Sequence, residues 1–324
     1  MKCCTVCAFC ALILAGTSAL AQQSADPPAV FRSGANLVAL NVTVMDPKKQ
    51  FVSGLTQGDF AVYEDGVQQQ LRFFEARQVP LDLIVLIDTS SSMRDKMNVV
   101  HEAAVGFLKT MKDGDRGAVV AFNDGVDVLQ ALTSDVSALE QAVRSTQAKG
   151  STSLHNALYI ALKQFGRATK SDGDLRRQAI AVLSDGEDTS SLISFDDVLA
   201  LAKRSGVSIY TIALHSKYSG VRGGAPTTPR YFSTADFSMK SLAQETGAQS
   251  FFPLEVSELK GIYANIAQEL ASQYSLAYSP ANSRSDGRYR RIVVRVMDRP
   301  ELQLRTRSGY TAEAIRSAAS FNQR

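Results

Sequence analysis

The sequence predicts an α/β protein in which a mostly parallel central sheet, flanked by helices, is inserted into a small β-sandwich. The segments Leu81–Ile87 and Gln178–Ser184 are almost continuously apolar, as expected for strands that are covered on both faces. Segments with apolar residues at helical spacing alternate with such strands through residues 80–272. Before and after this region the apolar residues recur at every second position, which indicates half-buried strands.

The first 21 residues are expected to be a signal peptide. Lys2 precedes an apolar run that is too short to span a membrane, and Ala19-Leu20-Ala21 has the pattern of a small-x-small cleavage site. A retained membrane anchor is the alternative. Cleavage predicts export to the periplasm, the cell surface or the medium, with no integral membrane span left in the mature chain. Residues 22–35, which include Pro27-Pro28, are expected to form a flexible leader.

The predicted cleavage would also remove every cysteine of the chain, because all four lie within the first ten residues: Cys3, Cys4, Cys7 and Cys10. A mature chain without them can form no disulfide, so a buried core must supply its stability. Apolar residues make up 45% of the chain and charged residues 21%, which is typical of soluble globular proteins. The net charge is +3 and the basic residues are scattered, which argues against nucleic acid as a partner.

The strands at the two ends of the chain are predicted to form one sandwich. In 36–79, strands are expected at Asn36–Met45 and on both sides of the tight turn Asp65-Gly66, at Phe60–Glu64 and Val67–Phe74. In 273–311, three antiparallel strands are expected, at Tyr274–Tyr278, Tyr289–Met297 and Leu302–Arg305. Neither group can bury a core by itself, so we expect them to pair. The polar segment 312–324 is expected to be a loose tail.

The region 80–272 is predicted to hold the α/β domain. Beside the two apolar strands, further strands are expected at Gly117–Phe122, Val126–Leu132 and Val207–Leu214. Helices are expected at Met97–Met111, Val136–Ser145, Ser153–Phe165, Phe195–Arg204, Ser238–Thr246 and Val256–Ser272.

Three polar stretches lie where predicted strands end or helices begin. They are Asp88-Thr89-Ser90-Ser91-Ser92, Gly150-Ser151-Thr152-Ser153-Leu154 and Leu183-Ser184-Asp185-Gly186. The carboxyl ends of parallel strands meet at one crevice, so these stretches are expected to converge. Their carboxylates and hydroxyls are hard oxygen donors that suit Mg²⁺ or Mn²⁺ and offer nothing to soft metals. Because the hydroxyls are neutral, a bound cation would keep enough positive charge to attract a carboxylate from outside.

The pattern Asp88-x-Ser90-x-Ser92, together with Thr152 and Asp185, resembles the metal-ion-dependent adhesion site of von Willebrand factor type A (VWFA) domains. The resemblance covers roughly residues 80–272 and implies a Rossmann-like sheet with one antiparallel edge strand. It implies direct metal contacts from Ser90, Ser92 and, in the ligand-bound form, Thr152. Asp88 and Asp185 would act partly through water, and Mg²⁺, Mn²⁺ and Ca²⁺ are all admissible ions.

Outside this pattern the sequence is also similar to secreted bacterial VWFA-related proteins. The similarity lies in Gly54-Leu55-Thr56, Asp59-Phe60 and Glu64-Asp65-Gly66, and at the other end in Asp286-Gly287 and Gly309-Tyr310. Two positions depart from the family pattern, since Ser151 stands where Gly is more usual and Ser184 where Thr is common. Both replacements keep a small polar side chain.

Each stretch alone has an ordinary structural explanation. Asp-x-Ser-x-Ser commonly caps a helix and Asp185-Gly186 commonly forms a turn, so only their combination in order favours a metal site. Asp95 is expected to be a first-turn helix acid rather than a sixth ligand. His155 is expected on a helix surface, although it could border the site. The segment 218–232 is expected to be a tolerated insertion or a ligand-gripping loop.

The predicted function is metal-dependent binding of a protein that contributes an Asp or Glu to the cation. No enzyme is predicted, because no general base accompanies the five site residues. Two alternatives stay open. One is a metal-assisted hydrolase, and the other is a structural or assembly protein whose metal site is secondary.

Overall fold

The computed structural model describes residues 37–76, 79–172, 176–184, 187–214 and 233–312. The predicted signal peptide and leader lie outside the described residues, and so do Asp185, His215, the 218–232 segment and residues 313–324 of the predicted tail. Within the described ranges, no helix is both long enough and apolar enough to cross a membrane.

The described residues form fourteen strands and six α-helices. In chain order the strands are β1 (Val38–Met45), β2 (Phe60–Glu64), β3 (Val67–Gln69), β4 (Leu71–Glu75), β5 (Leu81–Asp88), β6 (Arg116–Phe122), β7 (Val126–Thr133), β8 (Arg177–Ser184), β9 (Ser208–Ala213), β10 (Ser250–Phe251), β11 (Tyr274–Tyr278), β12 (Tyr289–Val296), β13 (Gln303–Arg305) and β14 (Gly309–Thr311). The helices are α1 (Met97–Leu108), α2 (Val136–Arg144), α3 (Leu154–Asp172), α4 (Phe195–Ser205), α5 (Thr234–Glu245) and α6 (Leu259–Ser272). Single 3₁₀ turns occur at Gln57–Asp59, Ser91–Lys96 and Val256–Glu258.

The central sheet has the strand order β10-β9-β8-β5-β6-β7. Its strands run parallel except for β7, which pairs antiparallel with β6 at the edge. The predicted mostly parallel sheet with one antiparallel edge strand is confirmed.

Strand β5 lies in the middle of this sheet because its whole length is apolar enough to be covered on both faces. All of its residues are buried. Val85 and Ile87 pack with buried residues of α1, α2 and α6, whereas Ile84 and Leu86 pack with residues of α3, α4 and α5. Successive side chains of β5 point to opposite faces of the sheet, so α1, α2 and α6 cover one face and α3, α4 and α5 cover the other.

Two further antiparallel sheets have the strand orders β13-β1-β11-β4 and β14-β12-β2-β3. Each sheet combines strands from before and after the α/β region. Their inward side chains, among them Leu40, Val62, Leu276 and Val294, form one buried cluster. The two sheets therefore bury a common core, and the predicted sandwich is present.

The hairpin at Asp65-Gly66 forms as predicted, but the strand expected after it does not. Both turn residues have positive φ, 48° and 84°, as a two-residue hairpin turn requires. The predicted single strand Val67–Phe74 is wrong, because β3 pairs with β2 whereas β4 pairs with β11 in the other sheet. The side chain of Gln69 accepts a hydrogen bond from the amide of Ala281, where the chain passes between the sheets.

Other boundaries differ for local reasons. Helix α5 begins at Thr234, four residues before the predicted start, because Ser233 and Asp236 form a capping box. Helix α3 continues to Asp172 rather than ending at Phe165. Strands β10 and β14 were not predicted, since two or three residues are too short to show any periodicity.

A buried polar cluster joins the α/β region to the sandwich. Glu269 of α6 is fully buried and accepts hydrogen bonds from the hydroxyls of Thr43 on β1, at 3.1 Å, and Tyr210 on β9, at 2.9 Å. It also forms an ion pair with Arg305 of β13. This cluster is called the Glu269 cluster below. It ties the last helix of the α/β region to two strands of one flanking sheet.

Candidate metal centre

The candidate site lies at the carboxyl ends of three neighbouring strands. Strand β5 pairs with β6 so that Asp88 lies opposite Phe122, and with β8 so that Ile87 lies opposite Leu183. The loops that follow these strands therefore begin side by side, which is where an open parallel sheet binds ligands.

Three of the predicted site residues are joined by direct hydrogen bonds. Asp88 is fully buried, and its Oδ1 accepts a hydrogen bond of 2.8 Å from the amide of Ser90. The hydroxyls of Ser90 and Ser92 lie 2.9 Å apart. Ser90 has extended backbone and the 3₁₀ turn begins directly after it, while the fully buried Met93 fixes that turn in the core. Only Ser92 of the three is exposed.

Asp88 is also held from the neighbouring strand. Its Oδ2 accepts a hydrogen bond of 2.6 Å from the hydroxyl of Ser184, the last residue of β8. The next residue, Asp185, lies outside the described residues. The structure thus brings the residue before it into contact with Asp88, and the role of Asp185 stays a prediction.

Backbone contacts connect the loop of Thr152 to the loop of Asp88. The amide of Ser91 donates to the carbonyl of Gly150 at 3.0 Å, and the amide of Lys149 donates to the carbonyl of Thr89 at 2.7 Å. Thr152 itself is buried, with 5% of its surface exposed. These contacts place the Thr152 loop beside the Ser90 loop.

The loop after β8 holds Thr152 from its other side. The amide of Thr152 donates to the hydroxyl of Thr189 at 3.0 Å, and its carbonyl accepts from the amide of Thr189 at 2.9 Å. The same loop satisfies the first amides of α3, since His155 donates to Asp188 Oδ2 at 2.8 Å and Asn156 to the hydroxyl of Ser191 at 3.0 Å. Sequence reasoning missed this arrangement, although the polar run Asp188-Thr189-Ser190-Ser191 after a buried strand could have indicated it.

The side chain of Asp124 is a further support of the Thr152 loop that sequence reasoning missed. Its Oδ1 accepts a hydrogen bond of 2.6 Å from the amide of Ser151, and this bond holds the pKa of Asp124 below its usual value of 3.8. Gly150 has φ +71°, and a Cβ at this position would lie 2.2 Å from the carboxylate of Asp124. A glycine at position 150 is therefore required for the carboxylate of Asp124 to contact the loop that carries Thr152.

His155 lies in the first turn of α3 and is partly buried, beside the loop that holds Thr152. Its side chain is 20% exposed, and Nδ1 lies 3.4 Å from Asp188 Oδ2. His155 and Asp188 line a cavity of about 430 Å³ between the loop after β8 and the start of α5. The other polar lining residues are Glu187, Thr189, Ser233, Thr234 and Ser238, and the apolar ones include Leu154, Phe195, Met239 and Leu242.

Two further titratable residues follow the Asp88 loop in the chain. His101 of α1 is hydrogen-bonded to the hydroxyl of Thr146 at 2.6 Å, and burial lowers the pKa of this histidine. Asp95 is exposed on the 3₁₀ turn Ser91–Lys96, before α1 begins.

The donor set fits a hard divalent cation. The described part of the predicted site supplies one buried carboxylate, Asp88, and the hydroxyls of Ser90, Ser92 and Thr152, all of them oxygen donors. Among the described residues there is no group of three His, Cys, Asp or Glu side chains that could hold a metal ion.

Comparisons with known proteins agree with this fold. A UPF0353 protein of Mycobacterium leprae (strain Br4923) is 27% identical over 202 residues, which cover 58% of this chain and 60% of that protein. A UPF0353 protein of Mycobacterium marinum is 27% identical over 225 residues, covering 65% and 66%. The chain thus spans less than two thirds of the length of these relatives.

Among solved structures, a von Willebrand factor type A protein from Catenulispora acidiphila superposes with a TM-score of 0.50. It is 16% identical, and the match covers 87% of this chain and 65% of that one. At this identity the likeness concerns the fold alone. The family model described as von Willebrand factor type A domain matches residues 82–265, which is more than half of the 324 residues. The chain therefore belongs to the von Willebrand factor type A domain family.

Proposed function

We propose that this protein is an exported, metal-dependent binding module that holds a divalent cation and grips a partner protein through a carboxylate of that partner. The observation that carries the proposal is the direct linkage of Asp88, Ser90 and Ser92, with the Thr152 loop fastened beside them by backbone hydrogen bonds. Hydroxyls and a carboxylate meet at the rim of a sheet whose middle strand, β5, is almost entirely apolar before Asp88.

The proposed ligands are Asp88, Ser90, Ser92, Thr152 and Asp185, and the cation is Mg²⁺, with Mn²⁺ or Ca²⁺ as alternatives. When bound, the cation supplies positive charge that can accept an Asp or Glu of the partner as a further ligand. The chain's own part is to orient the oxygens. Ser184 fixes Oδ2 of Asp88, the amide of Ser90 fixes Oδ1, and Thr189 fixes the backbone of Thr152.

The cavity beside Thr152 supports a protein partner. It opens at the same end of the sheet, and two large apolar side chains on the elements that line it are strongly exposed: Leu192 at 96% and Phe237 at 67%. An apolar side chain of the partner could pack here while its carboxylate reaches the metal site. Apolar contacts around a central polar anchor are the usual arrangement of a binding hot spot.

The decisive experiment measures metal binding and partner capture with two neighbouring serine variants. Ser92→Ala removes a proposed ligand, and since Ser92 is exposed the protein should fold normally. We expect its affinity for Mn²⁺, measured by calorimetry, to fall at least about tenfold. Ser91→Ala is the matched control, because it removes an exposed hydroxyl from the same turn that is not among the proposed ligands.

The same variants are then used to capture a binding partner from the envelope fraction, and capture should depend on the metal ligands as metal affinity does. We expect capture with the wild type and Ser91→Ala in Mg²⁺, and loss of capture with Ser92→Ala, with Asp88→Ala or in chelator. Capture that continues in chelator would disprove the metal-dependent mechanism. Export is tested separately, by sequencing the amino terminus of the mature protein, which we expect to begin at Gln22.

A metal-assisted hydrolase is the second candidate, and the pairing of His155 with Asp188 favours it, because a histidine held by a carboxylate can act as a base. The test is hydrolysis of p-nitrophenyl phosphate and p-nitrophenyl acetate in Mg²⁺ or Mn²⁺. The binding module predicts no turnover above that of the Asp88→Ala variant. Turnover that is lost in both His155→Gln and Asp88→Ala would establish the hydrolase instead.

A further inference from the structure

A second cavity, of about 270 Å³, lies at the opposite end of the central sheet from the candidate metal centre. It is enclosed by the start of β8, the end of α4 and the face of the β1–β11 sheet that points away from the sandwich core. Four arginines line it, and no acidic residue is among its described lining residues. These arginines are Arg176, Arg177, Arg204 and Arg307.

Among the described residues, Arg176 is the one arginine of the four that forms an ion pair with an acid. It forms an ion pair of 2.7 Å with Asp82, and it also donates to the carbonyls of Leu81 and Gly114. Arg176 therefore has an evident structural role, which makes it a useful internal reference for the other three.

Arg177 and Arg307 carry buried donors that nothing in the described structure satisfies. Arg177 is 4% exposed and donates to the carbonyls of Val79 and Leu270, but its Nη2 has no hydrogen-bond partner. Nε of Arg307 is likewise buried without a partner. Burial lowers the pKa of both guanidinium groups, and the nearby carboxylate of Asp115 counteracts part of this effect at Arg177.

Ser275 of β11 adds a third donor of this kind. It is 6% exposed, lines the cavity, and its hydroxyl has no hydrogen-bond partner. A buried hydroxyl without a partner destabilises a protein. Its presence beside two arginines with unsatisfied donors is explained if an acceptor enters the cavity.

The position of Arg307 is fixed by two glycines. A Cβ at Gly247 would lie 2.4 Å from the backbone nitrogen of Arg307, so the two chain segments can approach only because this residue is glycine. A Cβ at Gly206 would lie 3.4 Å from Nη1 of Arg307. The side chain is thus held at the end of α4, close to the exposed Arg204.

We infer that this cavity binds a small dianion of the phosphate-monoester class, with the phosphate on the arginines and Ser275. Several guanidinium groups without an acid favour more than one negative charge, and arginine matches oxyanions by paired hydrogen bonds. The apolar part of the lining, which includes Leu37, Ala39, Phe73 and Val79, accommodates a short apolar substituent. The volume lies below the roughly 300–1,000 Å³ of drug-sized ligand sites, so the ligand is small. This site is independent of the proposed metal-dependent function.

The test titrates the full mature chain with phenyl phosphate, inorganic phosphate and phthalate, in the presence of chelator, by calorimetry and thermal shift. We expect phenyl phosphate to bind more tightly than inorganic phosphate, and its affinity to fall with added salt. Arg204→Gln and Ser275→Ala should each weaken binding, by about tenfold for the arginine. Arg144→Gln, at an exposed arginine of α2, is the charge-matched control and should bind normally.

Ser275→Ala separates a ligand site from a structural role. Without ligand, this variant should be as stable as the wild type or more stable, because it removes a buried unsatisfied hydroxyl. With phenyl phosphate it should gain less stability than the wild type. Absence of binding at millimolar phenyl phosphate, or equal affinity in Arg204→Gln, Ser275→Ala and Arg144→Gln, would overturn the proposal. Tighter binding of phthalate would overturn the phosphate assignment in favour of a dicarboxylate.

Discussion

The two ends of the central sheet differ in the groups that hold their loops, although at the amino end too a carboxylate, Asp115, accepts from the amides of Leu81 and Lys112. At the carboxyl end, backbone amides donate to side-chain oxygens, as Ser90 does to Asp88 and Ser151 to Asp124. At the amino end, an arginine side chain donates to backbone carbonyls, as Arg177 does to Val79 and Leu270. The polarity of the secondary structure explains the difference. Helices that run antiparallel to the strands begin at the carboxyl end with free N–H groups and finish at the other end with free carbonyls.

The comparison teaches that the topology of one parallel sheet can favour a cation site at its carboxyl end and an anion site at its amino end. Loops at the carboxyl end need acceptors, so they are rich in Asp, Ser and Thr, and those residues also suit a hard cation. The amino end needs donors, which arginine supplies, and unsatisfied arginine suits an oxyanion.

The largest effect is expected from breaking the Glu269 cluster at the amino end. Glu269→Ala leaves Arg305 without its ion partner in a mostly buried position, so we expect the free energy of unfolding to fall by about 3–5 kcal/mol. Urea unfolding followed by circular dichroism measures it. Glu140→Ala, at a partly exposed glutamate paired with Lys109 and Arg144 at the surface, is the control and should lower the free energy of unfolding much less. A Glu269→Ala protein as stable as the wild type would show that this cluster does not stabilise the junction.

At the carboxyl end, Ser184→Ala tests whether Asp88 must be oriented. The variant removes the 2.6 Å hydrogen bond to Oδ2, and we expect affinity for Mn²⁺ to fall about tenfold or more, as is usual for groups that orient ligands. Ser184→Thr keeps a hydroxyl and should retain the affinity. Equal affinity of the alanine variant and the wild type would mean that Ser184 only fills space.

Gly150→Ala tests the approach of Asp124 to the Thr152 loop. Alanine is strained at φ +71° and its Cβ would overlap the carboxylate, so we expect a loss of stability of about 1–2 kcal/mol. Gly125→Ala in the adjacent turn is the matched control, since its Cβ would meet no atom within 4 Å. Similar unfolding midpoints for the two variants would argue against a close Asp124 contact.

The smallest effect concerns pH. Because the folded-state pKa of Asp124 lies below 3.8, its bond to Ser151 contributes stability above that value, and the contribution is lost as pH falls through the lower folded-state pKa. The amide resonance of Ser151 should therefore titrate below pH 3.8 in NMR spectra. In Asp124→Asn this titration should disappear, and its persistence would assign the shift to another group.

Much of the fold could be predicted because it depends on local patterns. The apolar runs in β5 and β8 place both strands inside the sheet, and Asp65-Gly66 marks a turn by its backbone preference alone. The switch of sheets between β3 and β4 could not be predicted, since the alternation of side chains is the same whichever sheet a strand joins.

The proposed ligands of the candidate site could be predicted from the sequence, but the residues that hold the ligand loops in place could not. Asp88, Ser90 and Ser92 stand close together in sequence after a recognisable strand. Asp124 accepts a hydrogen bond from Ser151, 27 positions further along the chain, and Asp188 accepts one from His155, 33 positions back. The periodicity of the sequence does not indicate contacts between residues this far apart. Sequence patterns therefore predicted the oxygens of the proposed ligands and missed the side chains that hold the loops.

The divided sandwich has a consequence for biosynthesis. Strand β4 ends at Glu75 and its neighbour β11 begins at Tyr274, so the first half of each flanking sheet leaves the ribosome long before the second half exists. Until then β1 and β2 present open edges, which are sites of aggregation, and a chaperone that covers them would serve this chain until synthesis is complete. Closure of the sandwich is thus expected to be the last folding event, and a premature stop anywhere before Tyr274 would leave both sheets unfinished.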